Sequence, residues 1–372
     1  MSATSPLPAI PQSGAAPLEQ AQYVRDVAAF SRRLNAGDVT ASLSDLVTAH
    51  RALATIAHGV TDPERIEALL GIAQHHYVAG YALAGIEPAI DAMNAARAHG
   101  DPLWLMRALN TLGYCLSDTV DVAGATEYFV EALELAIAHQ SERAECSLWG
   151  GLGTALVYAG QHDEAFACFE RAASKTGAPL TVRAAAYTNL ALLCLYKSDL
   201  ENGLEYARQA IAAMPDPHAP NEMLNRVLAE TYCARLLLAD KPTQAAQRVA
   251  IAKELAAKSR SERAWHAASI AEGLCEVARG HVDVGLSRLN RLLEQARSMR
   301  TGLRDTLLAL VSAFQSIGQP DRADQYVREL AHFSRSNRRD YFRSRLAALR
   351  IRAAATQSDP TPQAEAEPPG SA

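Results

Sequence analysis

The chain of 372 residues has few aromatic side chains, little lysine and no long apolar run. Phe, Trp and Tyr together make up 6% of it. Alanine is abundant and β-branched residues are sparse, which favours helices over sheets. No stretch approaches the roughly 20 uncharged apolar residues of a membrane-spanning helix. The segment Met1–Gln20 also lacks the basic start and apolar core of a secretory signal. We therefore expect a helical, cytoplasmic protein.

The sequence also lacks the motifs of catalysis and metal binding. It contains no His-Glu-x-x-His motif, no phosphate-binding loop and no glycine-flanked nucleophilic serine. The adjacent His75 and His76 cannot face one side of a helix as metal ligands one turn apart would. Six scattered cysteines form no Cys-x-x-Cys pair, which favours small buried residues in a reducing compartment over disulfides or a metal site. We predict no enzymatic activity, no cofactor and no metal.

A pattern that occurs twice between Arg107 and Ala172 organises the rest of the chain. Its first copy contains Leu109, Leu112, Gly113, Leu116, Ala125, Phe129 and Ala132. Its second copy contains Trp149, Leu152, Gly153, Leu156, Ala165, Phe169 and Ala172, each offset by 40 residues (for example 153 − 113). Self-similarity at a period of about 20 to 50 residues indicates stacked supersecondary units.

The spacing within each copy predicts two antiparallel helices. Apolar residues recur at three and four positions, which gives each helix one apolar face. Small residues such as Gly113 and Ala125 allow the two helices to approach closely, and we predict that Phe129 fills the wedge between them. The run Gly150-Gly151-Leu152-Gly153 follows no strand, so it favours close packing over nucleotide binding. One such hairpin cannot bury its apolar face alone, and stacking on its neighbours completes the core.

This pattern resembles the tetratricopeptide repeat, whose usual period is about 34 residues. The six additional residues fall between Ala132 and Trp149. Long-period repeats of this kind are similar to those of bacterial signalling proteins, including sensor halves of cyclic-dinucleotide synthases and peptide-sensing regulators. The resemblance implies an all-α, right-handed superhelical solenoid of about six or seven helix pairs. It also implies a protein–protein interaction module in bacterial signalling or regulation.

The repeat register predicts the domain organisation. The expected parts are a disordered segment 1–17, capping helices within 18–62, a solenoid over 63–333, an Arg-rich capping helix over 334–355 and a disordered tail 356–372. Three prolines at 214–220 predict either a surface loop, which we favour, or a hinge between two subdomains.

Two local features of this register can be checked against the structure. Glycines in the recurrent turns Gly160–Asp163, Gly280–Asp283 and Gly318–Asp321 are expected to end helices, with each Asp capping the next helix. Pro88 is expected in the first turn of its helix.

In tetratricopeptide-like stacks the first helix of each hairpin lines the inner groove, and the resemblance places the binding site there. The candidate residues are Gln74, His75, Tyr81, Asn110, Thr111, Tyr114, Asp118, Thr154, Tyr158, Thr188, Asn189 and Tyr196. Asn110 and Asn189 can each donate to and accept from a peptide backbone, and we expect both to face solvent in the free protein. Tyr158 and Tyr196 hold equivalent positions in adjacent units. Such a surface suits an extended peptide or a partner helix. The alternative is that some of these side chains only pack one helix on another.

Two other functions stay open at this point. One is a regulator whose solenoid changes curvature when a peptide or ligand enters. The other is binding of an anionic partner at the Arg-rich end, since residues 281–355 carry a net charge of +7 (14 Arg, 7 acidic) against −9 for residues 1–280. We favour a solvated capping helix there, because no aromatic residues alternate with the arginines. The overall charge of −5 makes nucleic acid an improbable partner. The oligomeric state does not follow from the sequence.

Overall fold

The computed structural model describes residues 7–12, 15–56, 62–118, 121–174, 177–299 and 302–335. Within these ranges the chain forms sixteen α-helices and no β-strand. The helices are α1 (Pro17–Ala36), α2 (Leu43–Thr55), α3 (Asp62–Ala79), α4 (Ala82–His99), α5 (Pro102–Asp118), α6 (Val122–Ala138), α7 (Glu142–Tyr158), α8 (His162–Ser174), α9 (Leu180–Lys197), α10 (Leu200–Ala213), α11 (Pro220–Leu237), α12 (Pro242–Ser259), α13 (Glu262–Ala278), α14 (Val282–Met299), α15 (Leu303–Ser316) and α16 (Pro320–Arg335).

Consecutive helices from α3 to α16 pair into seven antiparallel hairpins that stack in chain order. This confirms the predicted all-α solenoid. The odd-numbered helices also contact one another from hairpin to hairpin and form its inner layer. Before the first hairpin, α1 and α2 pack on α3. The expected Arg-rich helix and tail lie outside the described residues from 336 onward, as do residues 1–6 of the N-terminal segment.

Two phenylalanines fill the space over glycines in the repeat. Phe129 and Phe169 are fully buried. A Cβ added at Gly113 would lie 2.7 Å from the Phe129 ring, and one added at Gly151 of the next hairpin would lie 2.3 Å from it. Phe169 covers Gly153 in the same way, at 2.7 Å. The predicted wedge is therefore confirmed, and the glycine run of α7 serves close packing.

The structure confirms one of the two predictions made for the recurrent turns. Gly160, Gly280 and Gly318 all have positive φ, at 72°, 88° and 71°, and so take the left-handed conformation expected after a helix. The prediction that the following aspartates cap the next helix is wrong. Because each helix begins before its aspartate, the carboxylate lies within the first turn. In the first turn the negative charge of the carboxylate still interacts favourably with the helix dipole.

The position of Pro88 contradicts a second local prediction. Helix α4 begins at Ala82, six residues earlier, so Pro88 lies inside the helix rather than in its first turn. Its side chain is buried with Ala89 and Ala92 on the packed face of α4. An internal proline lacks the N–H that would bond the carbonyl four residues before it.

The proline-rich loop between α10 and α11 is attached to both helices by Arg226. Its guanidinium donates to the carbonyl oxygens of Met214 and, at 3.4 Å, Ile211. It also forms two bonds to one oxygen of Glu230, at 3.0 and 2.9 Å. Glu230 is fully buried and accepts a further bond from Arg248 at 3.1 Å. These bonds compensate the cost of burying the carboxylate.

The inner layer curves until α3 meets α11 and α13. The Ser261 hydroxyl, at the start of α13, donates to the Val78 carbonyl of α3 at 2.6 Å. Next to this bond, a Cβ added at Gly80 would lie 3.0 Å from the Arg263 backbone nitrogen. The backbones at the end of α3 and the start of α13 are therefore in direct contact. This contact encloses the inner surface.

Candidate functional site

The inner helices enclose a cavity of about 430 Å³, here called the inner cavity. Six of the predicted groove residues line it: Gln74, Asn110, Thr111, Tyr114, Thr154 and Asn189. The further lining residues are Asn35, Tyr77, Val78, Ser147, Gly150, Thr181, Val182, Ala185, Ala186, Pro220, Asn221, Leu224, Asn225, Leu228 and Arg263. They come from α1, α3, α5, α7, α9, α11 and α13. The volume lies within the range of about 300 to 1,000 Å³ that is usual for ligand pockets.

Side-chain amides of the inner cavity are oriented by bonds within the protein. Asn189 donates to the Ala185 carbonyl at 3.0 Å, and Asn35 donates to the Gly71 carbonyl at 3.2 Å. Gln74 donates to the Thr111 hydroxyl at 3.3 Å. A carboxamide has two N–H donors and one acceptor oxygen, so each of these groups keeps an oxygen and one N–H. This pair matches the C=O and N–H of a peptide backbone.

Asn110 and Asn189 differ from their expected state in the free protein. Both side chains are half-buried rather than open to solvent. The Asn110 amide nitrogen lies 3.3 Å from the Ser147 hydroxyl, while its buried oxygen has no hydrogen-bond partner in the described part of the chain. An unbonded buried oxygen is energetically unfavourable unless a ligand or water supplies a donor.

An aromatic stack forms one wall of the inner cavity. The rings of Tyr77 and Tyr114 have centroids 5.3 Å apart, and Tyr114 meets the edge of Phe129 at 5.4 Å. Burial is the main cause that raises the pKa of Tyr77 to about 12, and burial also raises the pKa of Tyr114. Both phenols therefore stay neutral. Val182, Leu224 and Leu228 add apolar surface opposite the amides.

Arg263 places a positive charge at the cavity. Its Nη1 atom lies 3.3 Å from Asp118 Oδ1, and its guanidinium lies over the Tyr77 ring at 4.6 Å from the centroid. The Tyr158 hydroxyl donates to the same Asp118 oxygen at 3.2 Å. Burial by itself would lower the pKa of Arg263. The nearby Asp118 carboxylate and the neighbouring phenols together outweigh burial and hold this pKa well above its ordinary value. The guanidinium is charged at any physiological pH.

Asp118 and Tyr158 line a separate small cavity of about 70 Å³, together with His266, Arg304 and Asp305. Arg263 borders both the inner and the small cavity. Tyr158 lines the small cavity and not the inner one, to which α7 contributes Gly150 and Thr154.

The four remaining predicted residues lie elsewhere. His75 and Tyr81 line a cavity of about 790 Å³ between the α1–α2 loop and residues 258–261. Thr188 is buried and donates to its own helix at Ala184. Tyr196 accepts a bond from Arg304 at 2.9 Å and lines neither the inner nor the small cavity. For Thr188 and Tyr196 the packing alternative describes the structure better.

Sequence reasoning missed the lining residues of α1, α11 and α13. The inner position of Asn225 and Arg263 could have been read from the register, since α11 and α13 are first helices of their hairpins. Asn35 lies in α1, where the repeat pattern gives no signal.

The described ranges hold no group of three or more His, Cys, Asp or Glu side chains that could hold a metal ion. The six cysteines are buried and form no disulfide. In the same ranges, no helix is both long and apolar enough to cross a membrane.

No family model and no curated protein sequence matches this chain. Solved structures do resemble it. A Rap protein complexed with Competence and Sporulation Factor has a TM-score of 0.62 at 14% identity, over 87% of this chain and 99% of that one. NprR in complex with its cognate peptide NprX has a TM-score of 0.59 at 11% identity, over 85% and 87% of the two chains. Aspartyl phosphate phosphatase F from Bacillus subtilis has a TM-score of 0.55 at 10% identity, over 87% and 96%.

Identities this low show similarity of fold alone. The similarity nevertheless extends over most of each chain. It agrees with the 40-residue period and with the seven stacked hairpins. By its fold, this chain is a tetratricopeptide-like helical-repeat protein.

Proposed function

We propose that this chain is a non-enzymatic interaction module that binds a short extended peptide, free or as a segment of a partner protein, in the inner cavity. The observation that carries the proposal is the set of side-chain amides already oriented around an enclosed space. We also propose that it works in the cytoplasm, which six buried cysteines that form no disulfide support.

The cavity suits a peptide backbone because its polar groups occur in matched pairs. The free oxygen and remaining N–H of Asn189 can bond one peptide unit, and those of Gln74 another. The unbonded oxygen of Asn110 gains a donor when a peptide N–H approaches it. Leu224, Leu228 and Val182 can contact the peptide side chains. Because hydrogen bonds within the protein already orient the amides, little side-chain entropy is lost on binding.

One similar structure supports a peptide as the ligand class. NprR was solved with a cognate peptide, and its fold is shared over most of the present chain. Another similar structure is that of aspartyl phosphate phosphatase F, so the fold does not by itself decide between an interaction module and an enzyme. The non-enzymatic proposal is supported by the lack of catalytic motifs in the sequence.

A regulator that changes curvature is the second candidate. It is supported by the position of Arg263, which borders the inner cavity and also joins α13 to Asp118 of α5. A ligand that contacts Arg263 would change the strength of this ion pair between α13 and α5. A change in the radius of gyration on peptide addition, measured by small-angle scattering, would separate the regulator from a passive module. Binding that weakens steeply with salt would instead favour the Arg-rich end, whose residues from 336 onward lie outside the described ranges.

The double variant Asn110→Ala with Asn189→Ala tests the peptide proposal. The wild-type chain is immobilised, and the peptides that it retains from the native cytosol are identified by mass spectrometry. Affinity for a retained peptide should fall by roughly 1–3 kcal/mol in the double variant, because peptide polar groups lose their partners.

The exposed Asn94 of the outer helix α4 supplies the control Asn94→Ala, which should bind as the wild type does. Unchanged affinity in the double variant would place the site elsewhere. A large fall in melting temperature would instead identify both asparagines as structural.

A further inference from the structure

We infer that the inner cavity selects peptides that carry a carboxylate, and that Arg263 is the side chain that binds it. The inference rests on the proposed function, since it names the chemistry of the peptide. Among the described residues lining the inner cavity, Arg263 is the only one with a formal charge. The others are amides, hydroxyls and apolar side chains.

The counter-charge of Arg263 is the carboxylate of Asp118 in α5. Asp118 is 5% exposed and lines the small cavity but not the inner one. The wall of the inner cavity therefore includes Arg263 but not its counter-charge. The amide and aromatic walls around it have no negative group to balance a cationic ligand.

The ion pair between Arg263 and Asp118 leaves N–H donors of the guanidinium available to a ligand. The two groups are 3.3 Å apart at Nη1, and that nitrogen makes no hydrogen bond of regular geometry. The Asp118 oxygen concerned is already shared with the Tyr158 hydroxyl. A guanidinium has five N–H donors in a planar fork and can bind a second carboxylate. The Tyr77 ring below it fixes the plane of the fork.

The carboxylate could be the C-terminus of the peptide or the side chain of Asp or Glu. Either would form charge-assisted bonds, which are the stronger class of hydrogen bond. A Lys or Arg side chain of a peptide would instead be repelled by Arg263 at short range in a poorly solvated site.

Three synthetic pentapeptide mixtures distinguish these sources. The first has free C-termini and contains no Asp or Glu. The second has amidated C-termini and contains Asp and Glu. The third has amidated C-termini and contains neither. Each mixture is passed over the immobilised full chain, and retained peptides are identified by mass spectrometry.

The wild-type chain should retain peptides from the first or the second mixture about tenfold better than from the third. In the double variant Arg263→Gln with Asp118→Asn, this preference should disappear. Both charges are removed together because Arg263→Gln alone would leave Asp118 buried without its partner. Melting temperature shows whether the variant is folded.

A matched control comes from the next hairpin. Arg304 occupies the second position of α15, as Arg263 does in α13, and it lies over the Tyr196 ring at 4.9 Å. It borders the small cavity but not the inner one. Arg304→Gln with Asp305→Asn should therefore keep the carboxylate preference.

Equal retention of all three mixtures, or a preference that survives in the Arg263 double variant, would overturn this inference and leave the peptide proposal intact. Retention of none of them would overturn the peptide proposal and the inference together. If the amidated, acid-containing mixture is retained and the first is not, the carboxylate comes from a side chain.

Discussion

The Ser261 hydroxyl donates to the Val78 carbonyl at 2.6 Å, although 183 residues separate them in the sequence. The same hydroxyl accepts a bond from the Ala264 backbone nitrogen at 3.2 Å, so it also caps α13. One side chain thus stabilises the start of a helix and joins two turns of the solenoid.

Ser261→Ala should remove both functions of this hydroxyl. We expect the free energy of unfolding to fall by about 1–2 kcal/mol, as for the loss of a helix cap. Hydrogen exchange should rise at the start of α13 and at the end of α3. Ser42→Ala is the control, because Ser42 caps α2 without bridging to another turn. Faster exchange in α13 with no change in α3 would contradict a role for Ser261 in joining the turns.

Phe169→Ala should remove the buried wedge over Gly153. The expected loss is roughly 3–5 kcal/mol of unfolding free energy. Because solenoid contacts are local, hydrogen exchange should rise most in α7 to α10 and progressively less beyond them. Phe166, which is partly exposed on the same helix, supplies the milder control Phe166→Ala. Uniform loss of protection along the chain would argue against local stacking.

Two adjacent glycines of α7 should respond oppositely to alanine. Gly151→Ala would place a Cβ 2.3 Å from the Phe129 ring, so we expect destabilisation by roughly 1–3 kcal/mol. A Cβ added at Gly150 would have only the Tyr114 hydroxyl within 4 Å outside its own helix backbone, at 3.8 Å. Gly150→Ala should therefore be neutral or stabilising by up to about 1 kcal/mol, through the better helix propensity of alanine. Urea denaturation of both variants measures the difference, and similar effects would refute the close packing at Gly151.

Acid should destabilise the fold through His76, which is 1% exposed in α3. Burial, followed by the nearby His75 and His50, lowers its pKa to about 4 from an ordinary value of 6.5. The folded state thus favours the neutral ring. The contribution of His76 to the stability of the fold is fully present above pH 6.5 and declines as pH falls towards 4. Between pH 7 and pH 5, the titration of His76 should lower the free energy of unfolding by about 2 kcal/mol.

His76→Gln should make the pH dependence of unfolding shallower in this window. The exposed His99 provides the control His99→Gln, which should leave the slope as in the wild type. A wild-type slope in the His76 variant would show that other groups cause the acid sensitivity.

Part of the candidate site could be predicted from the sequence. Gln74, Asn110, Thr111, Tyr114, Thr154 and Asn189 were found because the first helix of each hairpin faces inward, and a spacing of three and four residues identifies that face. The half-buried state of Asn110 and Asn189 was not predicted, because it depends on the neighbours that each amide meets. Tyr196 was placed in the groove by its register, but Arg304 of a distant hairpin bonds it.

The sequence by itself determined the helices, their pairing and their order, because these depend on apolar spacing and turn residues within about 40 positions. The tertiary structure decided where the solenoid turns meet. That depends on small rotations between successive hairpins, which accumulate over the stack and leave no local pattern. Arg263 therefore reaches Asp118, and Asn35 reaches the inner cavity, through a curvature that no single repeat encodes.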